Sequence, residues 1–308
     1  MKNILIITNT IDLTADYIIN KYKEKICFFR FNTDRFNDYM ISITPDETII
    51  EYKDRTAKVY LSKCDSLYYR KISLPDLSEY EPQFQPLMQR EMLTVIEGIA
   101  ETFGKYAITR PSILRKADNK ILQMKVAKEL GFNLPKSLIT NSNLIADDFC
   151  STNKSIVKPI SFGKIMNDNK VGFIQTNLVN KIPVLHKLDY SPAYFQTYVV
   201  KDYEIRLTII DNNFFGVRID STNKVDWRKE DARLLYSKVK IPNNIRRKCL
   251  RMMQLLNLKF AAFDFIVSSG EYVFLELNAN GQWLWLEKEL NLKISSALID
   301  SLTGKVYE

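Results

Sequence analysis

The chain has 308 residues, 46% of them hydrophobic and 26% charged, with a formal net charge of +8. That composition belongs to a soluble globular protein of one large or two to three small domains, and no apolar run approaches the roughly 18 residues that span a bilayer. His186 is the sole histidine, which argues against histidine-based triads and zinc sites, and Cys27, Cys64, Cys150 and Cys249 are scattered without a CxxC pair, so reduced cytosolic thiols are expected.

From the N-terminus, Ile4 to Thr8 reads as a buried first strand rather than a secretory signal, because its apolar run is short and no small-residue cleavage site follows. A helix over Leu13 to Tyr22 and a strand over Ile26 to Phe31 come next, then strands at Met40 to Thr44, Lys58 to Ser62 and Ser66 to Lys71. Strand, helix, strand at the start predicts a small α/β domain with parallel pairing. A proline-containing connection leads into a long helix over Leu87 to Phe103, and Arg110-Pro111 is expected to break the chain at a domain boundary. A helix from Asp118, as N-cap, to Gly131 follows, then a strand at Ser137 to Thr140, a short helix around Leu144 to Phe149 and a strand at Ser155 to Ile160. The loop Ser161 to Lys164 leads to Gly172 to Thr176. Strands are predicted at Tyr194 to Val200, Tyr203 to Ile210 and Phe214 to Ile219, a charged loop at 222–234, and helices at Asn243 to Leu256 and Leu292 to Leu302.

Between those last helices lies the stretch with the sharpest chemistry. Residues 263–283 read as two strands joined at Ser268-Ser269-Gly270. Phe263, Phe265 and Val267 share one face and Asp264 the other; Val273, Leu275 and Leu277 share a face, with Glu276 and Asn278 opposite. A turn of odd length, with Gly270 left-handed, brings Asp264, Glu276 and Asn278 to one face, whereas a two-residue turn would set Asp264 on the wrong side. Two carboxylates and an amide suit a hard cation such as Mg²⁺. The alternative is an amphipathic hairpin with its polar face in water.

Cationic residues weigh on that choice. Lys120 opens a helix, where amide donors and the dipole favour phosphate. Lys158 stands in an otherwise apolar strand, where it either meets an anion or reaches out from an edge. Arg206 and Arg218 lie on two strands of one hairpin; a pair of surface arginines is the plain reading. With Asp264, Glu276 and Asn278 they describe a metal–triphosphate site, and no Walker loop is present. Charge alone argues weakly for nucleic acid, the only local cluster being Arg246-Arg247-Lys248.

The order Asp118-Asn119-Lys120, Ile156-Val157-Lys158-Pro159, Gln196-Thr197-Tyr198-Val199, Glu204-Ile205-Arg206, Asp264 and Phe274-Leu275-Glu276-Leu277-Asn278 resembles the ATP-grasp superfamily over residues 110–283. Tyr68-Tyr69-Arg70-Lys71, Asp226-Trp227-Arg228 and Gly281-Gln282-Trp283 look like its peptide-modifying branch, the graspetide (microviridin-type) synthetases and grasp-with-spasm maturases. The resemblance implies an α/β (α+β) ATP-grasp fold behind a Rossmann-like pre-ATP-grasp domain, divided as 1–112, 113–194 and 195–308. It implies ATP and Mg²⁺ as cofactors: Lys120 and Lys158 on the α- and β-phosphates, Gln196, Tyr198 and Val199 at the adenine, and Asp202 or Glu204 at the ribose. Asp264, Glu276 and Asn278 would hold the metal, and Arg206, Arg218, Asp226 and Arg228 would serve catalysis. The loop Ser161 to Lys164 would cover the triphosphate. It further implies a cytoplasmic ligase that activates Asp or Glu side chains of a ribosomal precursor peptide carrying a leader segment, and forms ester or amide macrocycles without nucleic acid or membrane partners. A homodimer is left open. A ligase of small amino acids or peptides shares all the ATP residues, and a non-catalytic nucleotide- or nucleic-acid-binding regulator is the third reading.

Overall fold

The computed structural model describes residues 1–161, 163–167, 170–174, 176–179, 188–223 and 233–304. It begins with β1 (Lys2–Thr8), α1 (Leu13–Tyr22) and β2 (Ile26–Asn32). Ile4 to Ile7 are buried on both faces, as a central parallel strand requires. An antiparallel sheet of β3 (Tyr39–Ile43), β4 (Thr48–Tyr52) and β5 (Lys58–Tyr60) follows, then β6 (Ser66–Tyr69), α2 (Gln85–Thr102), β7 (Tyr106–Ile108) and α3 (Pro111–Ala117). The order β2-β1-β6-β7 is parallel throughout. Arg110-Pro111 separates β7 from α3, as expected of a residue before proline. Arg110 is extended (φ −63°, ψ 149°) and Pro111 opens α3, a position where its missing N–H would have no intrahelical partner anyway.

The middle of the chain carries α4 (Lys120–Glu129), β8 (Ser137–Thr140), α5 (Asn143–Thr152), β9 (Ser155–Lys158), β10 (Lys164–Asn167), β11 (Lys170–Phe173), β12 (Asn177–Val179) and β13 (Ala193–Thr197). The N-cap of α4 is Asn119, accepting from the Ile121 and Leu122 amides, and not Asp118. β12-β9-β13-β8 form one antiparallel sheet, and β10 and β11 a separate hairpin.

Next come β14 (Tyr203–Ile210), β15 (Asn213–Ser221), β16 (Leu234–Lys238), α6 (Asn243–Leu255), β17 (Phe260–Ser268), β18 (Glu271–Asn278), α7 (Leu284–Leu290) and α8 (Ile294–Thr303). The five strands pair antiparallel in the order β16-β15-β14-β17-β18. One face of this sheet shares a core with Leu5, Ile7 and α2; the other packs Ile210, Val217 and Phe260 with Trp283, Leu298, Ile4 and Tyr68. The first sheet and the last are therefore joined through two shared cores. Among the described residues no helix is long and apolar enough to cross a membrane, and all four cysteines are free thiols.

Candidate active site

The β17–β18 turn corrects the expected geometry. It holds two residues, not an odd number: Ser268 pairs with Glu271, and Ser269 (φ 49°) and Gly270 (φ 81°) are both left-handed, the requirement of a tight turn that matches strand twist. Such a turn alone would leave Asp264 opposite Leu275. A β-bulge between Asp264 and Phe265 restores the alignment, pairing Phe265 with Phe274 and Asp264 with Glu276. The bulge also shifts the apolar face: Tyr272, Phe274 and Leu277 are buried, while Val273 and Leu275 are only half-buried.

The three oxygen-bearing side chains meet. Asn278 Nδ2 donates to Asp264 Oδ2 at 3.0 Å and to Glu276 Oε1 at 3.4 Å. On β14, Arg206 pairs in register with Asp264, and its Nη1 donates to both carboxylate oxygens at 2.8 Å. Gly281 makes room for this guanidinium: a Cβ there would stand 2.7 Å from Arg206 Nη2 and 2.6 Å from Ala262 Cβ. Sequence reasoning named Gly281 as part of a motif but missed this steric reason.

Glu276 is approached from the middle sheet. Lys120 Nζ lies 3.6 Å from Glu276 Oε2 and donates to Pro159 O at 2.9 Å, so it links α4, the end of β9 and β18. Lys158 Nζ sits 4.7 Å from the centroid of the Tyr194 ring. Burial pushes the Tyr194 hydroxyl pKa up, as does the Glu276 charge. Burial, together with Glu276, likewise raises the Asp118 carboxyl, whose side chain accepts from the Ala279 amide at 3.4 Å. Among the described residues no cluster of three or more His, Cys, Asp or Glu forms a metal cage. Two carboxylates and an amide make a partial set of oxygen ligands, as Mg²⁺ takes when phosphate and water complete its shell.

Beside this cluster Lys120, Met124, Ser137, Tyr194, Gln196, Phe274 and Leu275 line a slot of about 10 Å³, one water's worth. Gln196 is 2% exposed; its Nε2 donates to Ser137 Oγ and the Tyr194 hydroxyl, and its Oε1 has no hydrogen-bond partner among the described residues. Tyr198 stacks under Lys154 at 4.6 Å and, like Val199, is half-buried.

Arg218, Asp202 and Glu204 have contacts of their own. Arg218 pairs in register with Ile205, one position out of phase with Arg206, so the two arginines face opposite sides of the sheet. Arg218 is instead bound twice to Asp220 at 2.7 Å and stacks on Tyr203. Asp202 accepts from the Ser269 amide at the hairpin turn, and Glu204 is ion-paired with Lys201. Asp226 and Arg228 lie outside the described residues, as does Phe162 in the expected covering loop.

Neither a family model nor a curated protein matches the sequence. A solved RiPP-associated ATP-grasp ligase from Chryseobacterium gregarium, in complex with ADP and a leader and core peptide, superposes with a TM-score of 0.88 over 99% of this chain and 97% of its own, at 27% identity. The chain has the ATP-grasp fold. The ATP-grasp likeness extends to the macrocyclase MdnB from Microcystis aeruginosa MRC, at 26% identity and TM-score 0.81 over 98% of this chain and 99% of that one. A D-alanine–D-alanine ligase from Bacillus anthracis, at 15% identity and TM-score 0.61 over 99% and 97%, shares the ATP-grasp architecture alone. The fold class expected from the sequence is therefore the one found.

Proposed function

We propose that this chain is an ATP-dependent, ADP-forming ligase that activates Asp or Glu side chains of a ribosomally made precursor peptide and joins them to hydroxyl or amine side chains of the same peptide. The observation that carries it is the convergence of Lys120, Arg206, Asp264, Glu276 and Asn278 on one cleft, in a chain whose fold and 27% identity match a ligase held with ADP and a leader and core peptide.

The residues fit the nucleotide. Gln196 Oε1 is a buried acceptor without a donor among the described residues, and an adenine amino group is such a donor. Arg206 Nε is a buried donor with no acceptor among the described residues, and a phosphoryl or acyl-phosphate oxygen is such an acceptor. Asp264, Glu276 and Asn278 would hold Mg²⁺, which would neutralise charge developing on the transferred phosphoryl group. Lys120, already between Pro159 O and Glu276, holds phosphate oxygens, and Lys158, over the Tyr194 ring that lines the same slot as Lys120, adds a second cation. A peptide carboxylate oxygen attacks the γ-phosphorus and the bond to ADP breaks; a hydroxyl or amine of the peptide then attacks the acyl carbon, expels phosphate and loses its proton. Each cycle removes one water from the peptide. Arg206, fixed by Asp264, stabilises the charge on the acyl phosphate.

The test incubates the protein with Mg-ATP and a candidate precursor rich in Thr, Lys, Asp and Glu, and reads peptide mass and ADP. Mass losses in steps of one water are expected, lost with Glu276→Gln and cut at least ~10²-fold by Lys158→Ala. Unmodified peptide, with ATP turnover indifferent to both substitutions, would overturn the assignment.

A further inference from the structure

A second cavity, about 410 Å³, opens at the carboxyl ends of β1 and β6, the side of a parallel sheet where ligands bind. Its volume lies within the roughly 300–1,000 Å³ of small-ligand pockets. Ile11, Leu13, Leu284 and Trp285 supply an apolar wall, and Lys71 and Lys288 stand among them. Ile11 and Leu13 are 80% and 71% exposed although the residue between them, Asp12, is buried. With Leu284 and Trp285 around the same cavity they form an exposed apolar patch, the kind that marks an interaction site when contiguous.

The charge at this cavity is unbalanced. Among the described residues Asp12 is the only carboxylate lining it, and that charge is already taken by the fully buried Arg70, which binds it through Nε and Nη2 and donates to the Tyr68 hydroxyl at 2.6 Å. Lys71, next in the chain, has no ion-pair partner among the described residues. Lys71 is exposed; partial desolvation and the neighbouring Arg70 push its pKa down, against the pull of Asp12. An anion arriving there pairs with the cation that the Asp12–Arg70 bridge leaves over.

The cavity also adjoins the proposed reaction centre through one residue. Gln282 Oε1 accepts from Thr14 Oγ1 at 3.4 Å on the cavity side, while Gln282 O accepts from Arg206 Nη2 at 3.4 Å on the other. We infer that this cavity docks the acidic substrate peptide, an apolar side chain entering between Ile11, Leu13 and Trp285 while the carboxylate of an adjoining Asp or Glu pairs with Lys71. The inference rests on the peptide-ligase reading for its substrate class, and it assigns Lys71 as a positioning residue rather than a catalytic one.

The probe is acetyl-Leu-Glu-Leu-amide, titrated into the full chain without nucleotide while tryptophan fluorescence is followed, with Trp285→Phe identifying the Trp285 component. Saturable change is expected, with acetyl-Leu-Gln-Leu-amide and acetyl-Gly-Glu-Gly-amide each roughly tenfold weaker. Lys71→Met should remove the preference for Glu over Gln, Lys71→Arg should keep it, and melting curves establish that both variants are folded. Equal affinity for the three peptides, an unchanged preference in Lys71→Met, or no saturable change up to millimolar peptide would overturn the inference. Because the readout needs no ATP, it separates from the ligase assignment. Selective docking without any ADP formation supports this site and counts against the ligase, whereas peptide dehydration with an unchanged peptide KM in Lys71→Met counts against this site alone.

Discussion

Arg206 and Asp264 are 7% and 6% exposed, so their mutual charge is what makes either tolerable inside the protein. Removing one partner of such a pair costs about 3–5 kcal/mol, because the other is left buried and uncompensated. A gentler disturbance isolates the geometry. Gly281→Ala places a methyl 2.7 Å from Arg206 Nη2 and 2.6 Å from Ala262 Cβ, so the guanidinium must move off Asp264. We expect a loss of about 1–3 kcal/mol in urea denaturation and a weaker calorimetric affinity for Mg-ADP. Gly98→Ala is the control: it sits within α2 with nothing within 4 Å of the added methyl, and should stabilise by about 0.5–1 kcal/mol. Wild-type Mg-ADP affinity in Gly281→Ala would show that the close approach has no bearing on the site. Arg206 itself was legible in the sequence as a cation among β-branched residues. Its separation from Arg218 was not, because eleven residues, a turn among them, lie between the two and register decides which face each takes.

At the scale of elements, the hairpin shows how a correct grouping can rest on an incorrect turn. The alternation of Val273, Leu275 and Leu277 is unbroken in the sequence, yet the strand buries Tyr272 and Phe274 and then changes phase at Leu275. Nothing in the pattern announces a bulge, because an extra apolar residue in an apolar strand leaves the composition unchanged. The helices were easier: α1 runs over the residues its periodicity marks, while α7 is too short, at seven residues, to establish a period. The two-residue turn makes its own prediction. Ser269 at φ 49° occupies a position that asparagine tolerates better, so Ser269→Asn should raise stability by a few tenths of a kcal/mol. Gly270→Val, at φ 81°, should lower it by roughly 1–2 kcal/mol. Both should leave Mg-ADP affinity unchanged at low temperature, since the bulge and not the turn sets Asp264 against Glu276. Affinity that falls in parallel with stability would place register control at the turn instead.

For the whole molecule, two buried carboxylates tie the beginning of the chain to its end. Asp12 lies between β1 and α1 and is held by Arg70 after β6. Glu287 on α7 accepts from Tyr17 and Lys21 of α1 and from the amide and hydroxyl of Ser295 on α8. Burial pushes both carboxyls up, but these partners outweigh it and hold both below the usual carboxylate range. A carboxyl depressed in the native state stabilises it wherever the unfolded group is also ionised, above about pH 4, and that contribution disappears as pH falls through the native values. Unfolding free energy should therefore be level between about pH 7 and pH 5 and drop below about pH 4. Glu287→Gln keeps the shape but loses the charge that Lys21 and Ser295 bind. Its deficit against wild type should be largest near neutrality and shrink toward zero in acid, read from urea denaturation at each pH. A deficit that stays constant down to about pH 2 would mean that Glu287 acts through packing alone, and that the clamp between α1, α7 and α8, against which the Gln282–Trp285 segment is set, does not depend on its charge.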